Sequence, residues 1–248
     1  MDGPASKARV VAARRSRHMA TLPDLVGLAY ESATAPEGWS VFLARFAENL
    51  RSISPALNLT GRDRDAGTLW VAPGMDDDWL RRYDTYFVGR DPRRRKIQET
   101  REGGVFVGHE IFPDRQLVQS EFYNDFLRPQ GFFHIMGGVP IKEPDRMAVV
   151  RFIRPKRARP FGERHRRLLG TVMPHLARAL RLHYEFAALR AERDGARDAL
   201  DRLRQGIVLL DQQGEVVAVN DRARLILERE GGLVLREGRL SASNLGED

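Results

Sequence analysis

Residues 162–205 read GERHRRLLGTVMPHLARALRLHYEFAALRAERDGARDALDRLRQ. Within them Leu168, Val172, His175, Ala179, Leu182, Phe186, Leu189, Arg193, Ala196, Leu200 and Leu203 follow one another at alternating steps of four and three residues. A 3.5-residue repeat keeps one seam turned toward a partner helix over many turns. The stretch therefore predicts one continuous helix, on the order of 65 Å long at 1.5 Å per residue. A small domain cannot cover that length. Up to about residue 185 the helix is expected to pack on its own sheet. Beyond Tyr184 a parallel coiled coil with a second copy is expected, with Leu182, Phe186, Leu189, Leu200 and Leu203 at the dimer seam. Folding back onto its own body is the alternative. Pro174 is a candidate kink, and Gly195 costs about 1 kcal/mol against alanine. His175 and His183 lie eight residues apart, too far to share a metal, and read as core or interface histidines.

Working back toward the N-terminus, the pattern is mixed. Residues 1–20 lack periodicity and read as a disordered basic arm, with Met19 a plausible alternative start. Leu22, Leu25, Val26, Leu28 and Ala29 share a helical face, and a second helix after Pro36 carries Trp39, Phe42, Leu43, Phe46 and Leu50. Ala56–Thr60 and Thr68–Ala72 flank the turn residues Gly61 to Gly67 and read as a hairpin. Asp76, Asp77 and Asp78 suit the N-terminus of the next helix, where a carboxylate meets free N–H groups. That helix holds Trp79, Tyr83, Tyr86 and Phe87 and stops at Asp91-Pro92. Val105–Val107 reads as a short strand and Ser120–Leu127 as helical. Phe132–Met136 reads as a strand ended by Gly137-Gly138, and Val139–Ile141 with Met147–Ile153 as a hairpin. Helices that bracket antiparallel strands imply an α+β class: a GAF-like antiparallel sheet flanked by helices, the long helix, then a partial α+β module.

In that last module, Gly206 to Asn220 reads as strand, Gln-Gln-Gly turn and strand, with Asn220 placed to cap a helix over Asp221–Arg229. The expected organisation is an arm at 1–20, a sensor domain at 21–160, a signalling and dimerisation helix at 161–205, and an incomplete domain at 206–248.

Composition narrows the function classes. At 42% hydrophobic residues a true core is affordable to the chain, and no apolar run approaches membrane-spanning length. There is no cysteine, so disulfides and thiolate chemistry are excluded. The net charge of +7 is concentrated in 1–18 and 154–167 rather than spread over a folded face, and reads as solvated charge. Neither a HExxH, a Walker loop, a GxSxG nor a GxGxxG occurs, and His109-Glu110 lacks a second histidine. No catalytic residue, metal or cofactor is expected, and a cytoplasmic location is.

Several stretches carry a resemblance. Ser120 to Gly131, Arg154-Pro155 through Pro160-Phe161, Pro174 to Leu180 and the strand-turn-strand-Asn220 motif resemble the N-terminal sensory portion of LuxR-type helix-turn-helix regulators. There a GAF-like sensor is followed by a PAS-like domain. The resemblance implies a homodimer, a small-molecule effector, and DNA contact only through a domain absent from this chain. Trp79, Tyr83 and Asp91-Pro92 are also similar in order to the pocket motif of acyl-homoserine-lactone receptors. The second tryptophan of that motif is missing here, Phe106 being the nearest aromatic. The aromatics Trp39, Trp70, Trp79, Tyr83, Tyr86, Phe87, Phe106, Phe122, Tyr123, Phe126, Phe132 and Phe133 offer a lining. The ligand residues expected are Trp79, Tyr83, Tyr86, Asp91, Phe106 and Tyr123. The alternative is a helix whose aromatics simply fill the core. At the level of function, the alternatives are a stand-alone dimerising protein or the sensor of another signalling protein.

Overall fold

The computed structural model describes residues 19–61, 68–229, 232–236 and 238–242. The basic arm and the turn expected at 61–67 therefore fall largely outside the described residues. Two compact units divide between Tyr184 and Glu185.

The first unit opens with α1 (Leu22–Thr34) and α2 (Gly38–Leu50). Thr21 starts α1 with a reciprocal cap: its hydroxyl accepts from the Asp24 N–H, and the Asp24 carboxylate accepts from the Thr21 N–H at 2.8 Å. On α2 the helical period holds as read, and Trp39, Phe42, Leu43, Phe46 and Leu50 are all fully buried. Strands β1 (Ser54–Thr60), β2 (Leu69–Val71), β3 (Val105–Val107), β4 (His134–Lys142) and β5 (Met147–Arg154) make one antiparallel sheet in the order β2-β1-β5-β4-β3. This is the expected α+β class.

Strand alternation gives the sheet two differently used faces. Leu57, Leu59, Val150 and Phe152 join the main core with α1, α2 and α7 (Glu163–Asp201), which supplies Leu169, Val172, Met173, Leu176 and Leu180. Trp70, Val149, Arg151 and Ile153 belong to the other face. That face is covered by α3 (Asp77–Arg82), which continues as π-helical Tyr83–Phe87, by α4 (Arg94–Glu99), by the single turns α5 (Gly108–Ile111) and α6 (Asp114–Leu117), and by π-helical Phe122–Leu127. Asp76 caps α3 by accepting the Asp78 N–H at 2.8 Å, the role expected of this acidic run.

Two readings need correction. Gly137-Gly138 does not end a strand; β4 runs through it, with a register irregularity between Gly138 and Ile141. Glycine is there because space is lacking: a Cβ on Gly137 would sit 2.4 Å from the Val150 carbonyl oxygen and 2.5 Å from the Phe106 ring. In the basic run at 154–167, Lys156, Arg157, Arg159, Arg164 and Arg167 are exposed as expected, but Arg154 departs from that reading. Arg154 is buried; its guanidinium donates to the carbonyls of Leu50, Arg159 and Pro160, lies 4.2 Å from the Phe161 ring centroid, and approaches His165 Nε2 at 2.9 Å. It ties the end of α2 to the turn that launches α7.

The second unit contains the end of α7, the hairpin β6 (Val208–Leu210) and β7 (Val216–Val219), helix α8 (Asp221–Arg229), and the hairpin β8 (Leu233–Arg236) and β9 (Arg239–Ala242). The Gln-Gln-Gly turn depends on Gly214 at φ +76°, a backbone state that favours glycine. Asn220 caps α8 as expected and does more. Its Oδ1 accepts from the N–H groups of Ala223 and Ile207, while its Nδ2 donates to the carbonyls of Leu200 and Gln205. One side chain therefore fastens the start of α8 to the end of α7.

Candidate ligand-binding site

The covered face of the sheet holds two adjoining hollows that share Trp70, Tyr83, Asp91 and Arg151. The inner one, about 40 Å³, is walled by Tyr83, Phe122, Phe126 and Phe132 over Ser54 and Ala56 of β1. The outer cleft, about 270 Å³, is bounded by Asn58, Asp84, Arg94, Gln98 and Met147.

Strand register creates the room. Arg151 of β5 lies opposite Ala56 on β1 and Gly137 on β4, so its long side chain is flanked by small neighbours. Asn58 lies opposite Trp70 on one side and Val149 on the other, which sets the indole at the same end of the face. The Arg151 guanidinium donates to the Tyr83 hydroxyl at 3.2 Å and lies 5.5 Å from the Tyr83 ring centroid and 5.9 Å from that of Trp70. The two rings are 5.9 Å apart. The Trp70 indole N–H is buried without an acceptor.

Asp91 is buried and is gripped by Arg93, Nε to Oδ1 at 3.0 Å and Nη2 to Oδ2 at 3.2 Å. Arg93 in turn lies 5.4 Å from the Phe122 ring centroid. Such two-point guanidinium–carboxylate pairs are the strong kind. The charge of Asp91 is thus balanced by a neighbour two residues away.

Of the six residues singled out in the sequence, Tyr83 and Asp91 come together at these hollows. The other four lie elsewhere. Trp79 packs edge-on against Phe126 with Arg82 above it. Tyr86 is exposed and donates to Glu121 at 2.7 Å, a bond that holds its phenol above the usual tyrosine range. Phe106 sits in a separate small core with Ile97, Ile135, Val139 and Val149. Tyr123 packs against Phe133. Trp39, counted among the lining aromatics, belongs to the opposite layer, where its indole donates to His183 Nδ1 at 3.4 Å. Arg93 and Arg151 were not singled out. The signal for Arg151 is its place in Met147–Arg154: a cation amid apolar residues, on the same alternating face as Val149 and Ile153.

The described dimer-seam residues divide by position. Leu182 and Leu200 are half-buried, whereas Phe186, Leu189 and Leu203 are exposed in the single chain, Leu189 at 61%.

No family profile and no curated protein matches the sequence. Among solved structures, the chain is similar to the LBD domain of VqsR from Pseudomonas aeruginosa, at 17% identity and TM-score 0.53, covering 66% of this chain and 96% of that one. Also matched are the N-acylhomoserine-lactone-dependent LuxR family factor CepR2 of Burkholderia cenocepacia (14% identity, TM-score 0.43, 68% and 98% covered) and a GAF domain/HD domain protein of Geobacter sulfurreducens (15%, 0.43, 66% and 98%). The matched two thirds of this chain share the fold of the VqsR domain.

Proposed function

We propose that this chain is the ligand-sensing and dimerisation region of a LuxR-type bacterial transcription regulator, acting in the cytoplasm. The observation that carries this reading is the hollow of Trp70, Tyr83, Asp91 and Arg151 on the covered sheet face, in a fold shared with a domain described as an LBD. No described helix is long and apolar enough to cross a membrane. In this reading the domain binds its effector without turning it over, and DNA binding belongs to a domain outside these 248 residues.

β5 suits the task of transmission. Arg151 faces the hollow while its neighbour Phe152 lies in the core shared with α7. A ligand that binds better to one setting of β5 shifts the population of α7 arrangements by its differential affinity. The exposed seam of Phe186, Leu189 and Leu203 then joins two copies as a parallel coiled coil.

Native mass spectrometry of the protein purified from bacterial cytoplasm, followed by thermal-shift screening of small metabolites, tests the sensing role. A retained or added small molecule that raises Tm is expected. No retained mass and no stabilising compound would end the proposal.

A further inference from the structure

We propose that the effector carries a carboxylate, with Arg151 as its charge partner and the Trp70 indole N–H and Tyr83 hydroxyl as further donors. The inference rests on the sensor reading and specifies which small molecule the hollow takes.

Trp70, Tyr83 and Arg151 line both hollows, and among the described residues no carboxylate is paired with Arg151. Its partner is the neutral Tyr83 hydroxyl. By accepting from Arg151, that hydroxyl keeps its own proton available to a ligand. The Trp70 N–H is buried and unused, which is costly unless something accepts from it. The one carboxylate lining the inner hollow, Asp91, is neutralised in a two-point pair by Arg93. The charge left over in the inner hollow is therefore positive. A carboxylate offers two oxygens, enough for the guanidinium and one neutral donor at once.

The rest of the lining defines the body of the molecule. Phe122, Phe126, Phe132 and the small Ala56 present an apolar wall, and the volume lies at or below the lower end of ordinary ligand pockets. The 40 Å³ hollow admits only a short apolar group, so a small aromatic or medium-chain acid would place most of its body in the 270 Å³ cleft.

Benzoate and octanoate, with benzamide and octanamide as neutral counterparts, are the probes, titrated at pH 7.5 against the 248-residue chain by calorimetry and thermal shift. Acids are expected to bind and amides not. Arg151→Met, which keeps the stem and removes the charge, is expected to weaken acid binding roughly tenfold or more. Trp70→Phe, which keeps an aromatic ring and removes the N–H, is expected to weaken it several-fold with the fold intact, and serves if Arg151→Met fails to fold. Amides binding as tightly as acids, or acid binding unchanged in both variants, would overturn the carboxylate assignment while leaving the sensor reading standing. Binding of neither series would also overturn it. The sensor reading fails separately, in the native-mass and screening experiment.

Discussion

Arg93 closes on Asp91 with two parallel hydrogen bonds and both side chains only 4% exposed, an ion pair two residues apart at the mouth of α4. The Arg93 backbone N–H also points at Asp91 Oδ1, at 3.0 Å. The carboxylate that an acyl-lactone motif would turn toward a ligand is here engaged by its own chain.

Removing one partner leaves a buried charge unpaired, so Asp91→Asn or Arg93→Met should cost about 3–5 kcal/mol in urea unfolding. The double variant Asp91→Leu/Arg93→Met should lose less than either single change. If the double variant loses the sum of both, the pair is not acting as a unit.

His165 is held below its ordinary value of 6.5, first by burial and then by the Arg154 guanidinium beside it. The unfolded chain therefore binds this proton more readily than the folded one. Its contribution is complete above about pH 6.5 and is lost as pH falls through that value toward the lower folded one. Tm should rise from about pH 5 to 7, and His165→Gln should flatten that rise. An unchanged slope in the variant would remove His165 as its source.

Much of the fold was legible because local period carries it. Trp39, Phe42, Leu43, Phe46 and Leu50 announce a buried helical face, and Asp76 and Asn220 announce caps from their side-chain chemistry alone. The site was less legible. Tyr83 and Asp91 stood out, but Arg151 reaches Tyr83 only through the pairing of β5 between β1 and β4, a long-range fact no local pattern contains. Gly137 misled for a related reason: a glycine needed for close approach to Val150 and Phe106 looks the same in sequence as one that ends a strand.

Gly137→Ala should accordingly destabilise the first unit sharply, since its Cβ would meet backbone at 2.4 Å. Gly195→Ala, in α7 with nothing within 4 Å of the added carbon, should instead stabilise by about 0.5–1 kcal/mol. Thermal unfolding of the two variants checks both signs.

Asn220→Ala strips partners from the backbone of Leu200, Gln205, Ile207 and Ala223 together. Hydrogen exchange should accelerate over residues 200–210 and the first turn of α8, while α2 and β5 stay protected. Equal protection in the variant would mean the asparagine is not the fastener.

Sedimentation velocity on the 248-residue chain tests most directly whether α7 joins two copies. Twice the 28.2 kDa chain mass is expected, falling to a single chain mass in Phe186→Glu/Leu189→Glu with the first unit still folded. A single chain mass for the unaltered protein at every concentration, or a dimer that survives both charges, would contradict it.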